Sequence, residues 1–278
     1  FPYTTLFRSN PNQRVTMSSI RKWRREKTPI PVLTAYDATT ARLLARGGVP
    51  VLLVGDSAAQ LVLGFDRTID VTLESMITLT AAVRRGAPDC LIMGDMPFMS
   101  YQADRGEAVR NCGRMMREGG ADVVKLEVDR SFVPLIEKLA SAGVPVVAHL
   151  GWRPQQTQRT GTPQIAGKTS QAIATLAGDA RAMEEAGATM ILIEQTTAEA
   201  AERVVDAVGL PVIGCGAGPA CHGHVVVTHD LLGLTDWHPS FARPVAQLGQ
   251  QIQEAAAKWV EMVRSGEYLR DDHPYQMD

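Results

Sequence analysis

The sequence predicts a single (β/α)8 TIM barrel, and three observations indicate this α/β fold class. A unit recurs along the chain in which a helical stretch ends in Gly or another small residue, a short apolar run follows, and a polar residue ends the run. The apolar runs are continuous rather than alternating, as expected for strands of a parallel sheet that are buried on both faces. Seven or eight such units, with no GxGxxG turn after the first strand, favour a barrel over a doubly wound sheet.

Seven strands follow directly from this pattern. They are predicted to begin at Pro31, Val51, Leu91, Val123, Val146, Met190 and Val212. The segments between them are long enough for crossover helices, and they show helical periodicity, for example at Ala180, Met183 and Ala186. For the eighth strand we expect residues 239–243.

An amphipathic helix is predicted at the C-terminal end, over residues 245–263. Its broad apolar stripe is ended by Gly266 and consists of Val245, Leu248, Ile252, Trp259 and Val263. We expect this helix to pack against the barrel or to contact another subunit, and we therefore expect a homo-oligomer.

The N-terminal end is treated separately from the fold. Residues 1–9 read FPYTTLFRS and resemble a translated sequencing adapter. Residues 1–16 are therefore predicted to be non-native or disordered. Met17 is then a plausible start, and residues 17–278 are predicted to form the catalytic barrel domain.

Charge and cysteine content exclude several classes of protein. The chain has 28 Lys and Arg against 30 Asp and Glu, a net charge of −2, which argues against a nucleic-acid binder or a polybasic membrane module. The longest apolar run is far shorter than the roughly 20 residues of a membrane-spanning helix. Four cysteines do not form the dense framework of a small secreted domain, so we expect a cytoplasmic protein.

Polar residues end or follow five of the predicted strands. These residues are Asp56 with Ser57, Asp95, Lys125 with Glu127, His149, and Glu194. In barrel enzymes the catalytic residues lie at the carboxyl ends of the strands, which we call the barrel mouth. Lys125 and Glu127 are two residues apart, so in a strand they face the same side. We expect all these side chains to converge on the mouth.

The carboxylates at the mouth predict a hard cation. Asp56, Asp95 and Glu127 offer only oxygen ligands, and Mg²⁺ typically takes one or two carboxylates and completes its shell with water and substrate oxygens. A 2-oxo acid could chelate such an ion, which would stabilise the enolate formed when the adjacent proton is removed. Glu194 is the remaining carboxylate, and burial would raise its pKa towards the range of a general base.

Several ordered motifs together resemble the ketopantoate hydroxymethyltransferase family. They include TAYD from Thr34, VGDS from Val54, GDMPFMSY from Gly94, VVKLE from Val123, HLGWRPQ from His149, IGCGAG from Ile213 and HDLLGL from His229. The resemblance extends from about Ile30 to Tyr275. It implies a Mg²⁺-dependent barrel, related to phosphoenolpyruvate mutase and isocitrate lyase. Such an enzyme moves a one-carbon unit from 5,10-methylenetetrahydrofolate to 3-methyl-2-oxobutanoate in pantothenate synthesis.

The resemblance also implies a role for each residue at the mouth. Asp56, Asp95 and Glu127 would hold the metal directly or through water. Ser57 and Lys125 would bind the substrate carboxylate, with Asp56 and Asp95 beside it. Glu194 would be the proton acceptor, and His149 would support the reaction near the substrate.

The sequence departs from the family pattern at positions that we expect to surround the place where the second substrate enters. These positions are Phe65, Asp70, Thr78, Leu79, residues 161–167, His222 and His224. Two alternatives therefore stay open beside the family reaction. One is a Mg²⁺-dependent aldol or lyase enzyme of the same superfamily that uses another 2-oxo acid or electrophile. The other is a barrel that binds a ligand without turnover, which the intact set of polar residues argues against.

Overall fold

The computed structural model describes residues 14–162 and 164–268, and eight parallel strands close into a barrel in chain order. The strands are β1 Ile30–Thr34, β2 Val51–Val54, β3 Leu91–Asp95, β4 Val123–Glu127, β5 Val146–Gly151, β6 Met190–Glu194, β7 Val212–Cys215 and β8 Gly223–Val226. The predicted (β/α)8 fold is confirmed. The first seven strands begin within one residue of the predicted positions.

Helices connect most of the strands. They are α1 Met17–Arg25, α2 Ala38–Arg46, α3 Ala58–Leu61, α4 Leu73–Gly86, α5 Arg105–Arg117, α6 Val133–Ser141, α7 Thr157–Thr160, α8 Ser170–Glu185, α9 Ala198–Ala207, α10 Thr228–Leu231 and α11 Leu248–Arg264. Most of the long helices begin at a side chain that accepts a hydrogen bond from a backbone N–H of the first turn, which satisfies a donor that the helix itself leaves unpaired. These N-cap residues are Asp37, Thr72, Asp104, Thr169 and Thr197.

Alternate residues of each strand face two different cores. Leu53, Met93 and Leu192 belong to a cluster that fills the inside of the barrel, whereas their neighbours Leu52 and Ile92 pack with the surrounding helices. Because both faces of the strands are buried, both carry apolar side chains. This is the physical reason for the continuous apolar runs in the sequence.

The prediction for the eighth strand is wrong. The strand is β8, which pairs with β7 and β1, and residues 239–243 form no strand. The prediction required a helix before each strand, but residues 216–222 join β7 to β8 without one. The recurring unit is therefore broken at the position where the last strand begins.

Helix α1 covers the amino ends of the strands, opposite the mouth. Ile20 of this helix is fully buried and belongs to the cluster inside the barrel, together with Ile30 and Leu91 near the strand starts. The Arg24 Nη2 atom donates a hydrogen bond of 3.2 Å to the carbonyl oxygen of Val208. The lower end of the barrel is therefore closed by the chain's own N-terminal helix.

The packed chain begins before Met17. Val15 is buried, and its N–H donates to the carbonyl oxygen of Asp89 at 2.8 Å. Val15 thus packs on the barrel, and the division at residue 17 stays a prediction. Residues 1–13 lie outside the described residues.

The chain divides into two compact units, Phe1–Val226 with the barrel and Val227–Asp278 with α10 and α11. The predicted C-terminal helix is confirmed as α11, although it begins at Leu248 rather than at Val245. Its apolar side chains Ile252, Trp259 and Val263 are exposed. The homo-oligomer stays a prediction.

Two negative findings apply to the part of the chain that the structure describes. No helix there is both long enough and apolar enough to cross a membrane. Cys90, Cys112 and Cys221 are free thiols there.

Two helical glycines allow a test of the packing around the barrel. A Cβ atom on Gly86, the last residue of α4, would lie 2.2 Å from the carbonyl oxygen of Ala38 in α2, whereas a Cβ on Gly113 in α5 has no neighbour within 4 Å. We expect Gly86→Ala to lower the free energy of unfolding by about 1–3 kcal/mol because two backbones must separate. Gly113→Ala should raise it by roughly 0.5–1 kcal/mol. Urea unfolding measures both changes, and equal effects would contradict the close α2–α4 contact.

Candidate active site

The polar residues at the mouth form the uppermost layer of the barrel interior. Asp95 continues the inward-facing series of Leu91 and Met93 on β3, and Glu194 continues the series of Met190 and Leu192 on β6. Lys125, Glu127 and His149 continue the same inward-facing positions on β4 and β5. The alternation that fills the barrel with apolar side chains therefore also directs these polar groups to one place.

Asp56 and Ser57 reach the site from the turn that follows β2. The Asp56 N–H donates a hydrogen bond of 3.0 Å to Asp95 Oδ2, which joins the ends of β2 and β3. The Ser57 hydroxyl lies 2.8 Å from the hydroxyl of Tyr36, which follows β1. The backbone turn thus presents one carboxylate and one hydroxyl to the mouth.

A buried ion pair lies at the centre of the site. Lys125 Nζ is 2.7 Å from Asp95 Oδ1, and the two side chains are 5% and 1% exposed. Burial raises the pKa of Asp95 to about 7, although Lys125 opposes this shift. Burial alone would lower the pKa of Lys125, but the carboxylates of Asp95, Asp56 and Glu127 outweigh it and raise that pKa above its ordinary value. Lys125 is therefore a charged ammonium group at the bottom of the mouth.

His149 links the lysine to the proposed base. Burial, assisted by the charge of Lys125, lowers the pKa of His149 well below its ordinary value, so the ring is neutral. Lys125 Nζ lies 3.3 Å from His149 Nδ1, and because an ammonium group can only donate, Nδ1 accepts and the ring hydrogen is on Nε2. His149 Nε2 lies 3.5 Å from Glu194 Oε2. Since the imidazole is uncharged, this contact is polar rather than an ion pair.

Glu194 is the carboxylate that remains open to the mouth. Its side chain is 19% exposed, against 1% for His149. Burial raises its pKa to about 7, with Lys125 opposing and Asp56 and Asp95 adding to the rise. The next residue, Gln195, has a φ of 46°, a left-handed conformation that is costly for a residue with a side chain. The end of β6 is therefore strained beside a carboxyl group that can exchange protons near neutral pH.

The structure brings all seven predicted site residues into one group. Contacts run from Asp56 through Asp95 and Lys125 to His149, and from there to Glu127 and Glu194, and Ser57 follows Asp56 in the same turn. Their roles in binding and catalysis stay predictions.

Sequence reasoning missed the uncharged residues that hold this group together. Gln155, in the loop after β5, is 3% exposed and contacts Asp56 and Glu127, and Tyr101, after β3, is 2% exposed and contacts Glu127 and Gln155. Both occur in motifs that carry the family resemblance. Neither carries a charge, so a search for titratable strand ends passes over them.

The donor chemistry of the site fits Mg²⁺. Asp56, Asp95 and Glu127 supply only oxygen atoms, and burial raises the pKa of Asp95 and Glu127 in a site whose central cation is Lys125. A divalent cation would favour their ionised forms. No group of three or more His, Cys, Asp and Glu side chains within residues 14–162 and 164–268 is arranged so that it could hold a metal ion. Mg²⁺ typically binds only one or two carboxylates and completes its shell with water molecules and substrate oxygens.

The positions that depart from the family pattern do not all lie near the mouth, which corrects the sequence-based expectation. Phe65 and Asp70 follow β2, and Ala166 in the loop of residues 161–167 pairs with Thr196 just beyond β6, so these segments are on the mouth side. Thr78 and Leu79 lie in the middle of α4, in the outer layer of helices.

His222 and His224 lie at the opposite end of the barrel from the mouth. The carbonyl oxygen of His222 accepts from the N–H of Ile30, and His224 is opposite Pro31 at the start of β1. Because parallel strands share one direction, residues beside the start of β1 lie at the amino end. The two histidines are therefore not part of the rim around the mouth.

Comparisons with known proteins identify the family. The family model described as ketopantoate hydroxymethyltransferase matches residues 14–271. The 3-methyl-2-oxobutanoate hydroxymethyltransferase of Trichlorobacter lovleyi is 40% identical over 264 residues, which cover 95% of this chain and 99% of that protein. The protein of the same name from Roseiflexus sp. is 42% identical over 266 residues, 95% of each chain.

Solved structures show the same fold at lower identity. A 2,3-dimethylmalate lyase, described as a PEP mutase/isocitrate lyase superfamily member, superposes with a TM-score of 0.58 at 19% identity. The superposed residues cover 94% of this chain and 92% of the lyase chain. A phosphonopyruvate hydrolase in complex with oxalate and Mg²⁺ gives a TM-score of 0.62 at 12% identity and covers 95% and 92%. With the family model and the close relatives taken together, the chain belongs to the ketopantoate hydroxymethyltransferase family of enzymes.

Proposed function

We propose that this enzyme transfers a hydroxymethyl group from 5,10-methylenetetrahydrofolate to 3-methyl-2-oxobutanoate and so forms 2-dehydropantoate. Relatives at about 40% identity over nearly the whole chain carry the name of this activity. The observation that supports it within the site is the pairing of a buried ammonium group, Lys125, with a carboxyl group open to the mouth, Glu194. The first suits an anionic substrate, and the second suits removal of a proton.

Lys125 and Ser57 bind the carboxylate of the 2-oxo acid in this proposal. The ammonium group of Lys125 is charged and buried, so its attraction for a carboxylate is screened less than at the surface. Tyr36 holds the Ser57 hydroxyl in place from the neighbouring strand end. Lys125 and Ser57 would together fix the substrate at the bottom of the mouth.

Asp56, Asp95 and Glu127 hold a Mg²⁺ ion in this proposal, directly or through water. When bound, the ion acts as a Lewis acid that makes the hydrogen next to the keto group more acidic. The protein's own contribution is to orient these carboxylates. Lys125 does this for Asp95, and Asp56 is joined to Asp95 through its backbone N–H.

Glu194 removes the proton from the third carbon of the substrate. Its pKa of about 7 places it where a general base is effective at neutral pH. The methylene carbon of the folate then forms one bond to the enolate carbon and one bond to the oxygen of a water molecule, and both of its bonds to nitrogen break. The two nitrogens take up the proton removed by Glu194 and the proton released by the water, and tetrahydrofolate leaves. The neutral ring of His149 lies beside the Glu194 carboxylate, with its Nε2 atom 3.5 Å from Oε2.

A second candidate keeps the same 2-oxo acid chemistry but uses another electrophile. It is favoured by two residues that depart from the family pattern and lie on the mouth side of the barrel. Phe65 is 45% exposed, and Ile165 is 50% exposed. Phe65 lies in the segment after β2, and Ile165 lies in the segment after β5. They do not touch the described contacts of Lys125 or Glu194.

A pair of measurements separates the candidates. The first is deuterium exchange at the third carbon of 3-methyl-2-oxobutanoate in the presence of Mg²⁺ alone, which measures removal of the proton. The second is formation of ketopantoate after the folate is added, which measures transfer of the one-carbon unit. We expect both to be fast. Fast exchange without product would favour another electrophile. Absence of both reactions, with retained binding of the 2-oxo acid, would contradict an enzyme and favour a binding barrel.

A further inference from the structure

Gln155 has a side chain whose hydrogen-bonding groups are all occupied. Its Nε2 group donates to Asp56 Oδ2 and to the carbonyl oxygen of Met96, both at 3.0 Å. Its Oε1 atom accepts from the Tyr101 hydroxyl at 3.1 Å and from Gln102 Nε2 at 3.3 Å. A side-chain amide can donate two and accept two such bonds. Turning the amide over would place its oxygen against two acceptors, so only one orientation is stable.

The same residue also contacts a second carboxylate. The backbone N–H of Gln155 lies 3.1 Å and 3.4 Å from the two oxygens of Glu127. Asp56 follows β2 and Glu127 ends β4, and β3 lies between these strands. Gln155 therefore connects two carboxylates whose strands do not pair with each other.

Tyr101 fixes Gln155 from the opposite side. Its hydroxyl accepts from the Glu127 N–H at 3.0 Å and shares its hydrogen between the Glu127 carbonyl oxygen and Gln155 Oε1. Both Gln155 and Tyr101 are almost fully buried. The pair thus forms a rigid connection between the loop after β5 and the ends of β2 and β4.

We propose that Gln155, oriented by Tyr101, is a positioning residue that holds Asp56 and Glu127 in the arrangement needed for Mg²⁺. The proposal rests on the function proposed above. Groups that orient metal ligands from behind typically change metal affinity or activity by about 10–100-fold when they are removed. Gln155 is the residue that donates an N–H group to both carboxylates, its side-chain amide to Asp56 and its backbone to Glu127.

The test compares two neighbouring glutamines. Gln155→Met keeps the length of the side chain but removes its hydrogen bonds, and Gln156→Met is the matched control at the neighbouring position, where the side chain accepts a hydrogen bond from Arg159 at 2.6 Å. Binding of Mn²⁺, followed by electron paramagnetic resonance without substrate, should weaken by about 10–100-fold in the first variant and stay unchanged in the second. Tyr101→Phe, which retains the ring beside Phe132, should weaken binding by about fivefold, the effect of roughly one hydrogen bond.

The outcomes distinguish this proposal from the proposed function. Wild-type Mn²⁺ affinity in both Gln155→Met and Tyr101→Phe would overturn the positioning role and leave the metal assignment in place, even if either variant melts at a lower temperature. If the wild-type protein itself binds no Mn²⁺, the metal assignment fails and the positioning role fails with it. If Gln155→Met does not fold, Tyr101→Phe decides the question.

Discussion

Replacing Glu194 with glutamine is expected to slow deuterium exchange at the third carbon of 3-methyl-2-oxobutanoate by about 100-fold or more, the usual scale for loss of a general base. The amide keeps the size of the side chain but cannot accept the proton. Lys125 and Asp95 are unchanged, so the variant should still bind Mg²⁺ and the 2-oxo acid. Nuclear magnetic resonance follows the exchange without the folate.

The pH dependence of exchange gives a second measurement on the same residue. Glu194 must be ionised to act as a base, and burial raises its pKa to about 7. The wild-type rate should therefore rise as the pH rises through 7 and become constant above it, because the protonated form predominates at lower pH. In Glu194→Gln the residual exchange should lack this dependence.

Glu185 provides a matched control for this substitution. It is an exposed glutamate on α8, outside the mouth, and Glu185→Gln should exchange at the wild-type rate. Wild-type exchange in Glu194→Gln would exclude Glu194 as the base. A flat wild-type profile between pH 5 and 9 would assign the proton transfer to another group.

Replacing Asp95 with asparagine is expected to remove Mg²⁺-dependent activity and also to destabilise the protein. Asp95 is 1% exposed and forms the ion pair with Lys125. Removal of one partner of a buried ion pair typically lowers stability by about 3–5 kcal/mol, because the other charge stays buried. The activity should fall by more than the roughly 100-fold that loss of an outer contact to a metal site can cause. Urea unfolding and the exchange assay measure the two effects.

A double variant separates the two effects. Asp95→Asn combined with Lys125→Met removes the unpaired ammonium group, so we expect it to recover part of the lost stability, because that charge is no longer buried without a partner. It should remain inactive. Retained activity in Asp95→Asn would contradict the role proposed for Asp95 in the metal site.

The fold and the position of the charged groups could be predicted because both depend on strand periodicity. A strand that is buried on both faces reads as a continuous apolar run, and its last inward residue is the one that changes to Asp, Lys, His or Glu. Asp95, Lys125 and Glu194 were found in this way. No long-range information was needed, because every strand of a parallel barrel ends at the same side.

The remaining features depend on contacts that are distant in sequence. The strand β8 follows a turn without a helix, so the local pattern did not indicate it. Gln155 contacts Asp56, which is 99 positions away in the chain, and the hydrophobic periodicity of the sequence gives no sign of such a contact. Thr78 and His222 are predicted to lie at the rim because they differ from the family pattern. A difference from the family sequence does not indicate where in the fold a residue lies.

The closure of the lower barrel end by α1 has a kinetic consequence. Ile20 and its neighbours fill that end of the barrel. Within the described barrel, a reactant can therefore reach Lys125 only through the mouth. Two reactants that use one opening cannot exchange places inside it. The reactant that reaches Lys125 should therefore bind first and its product should leave last. Steady-state kinetics should show compulsory-order addition, with ketopantoate as a competitive inhibitor against 3-methyl-2-oxobutanoate and tetrahydrofolate as a noncompetitive one.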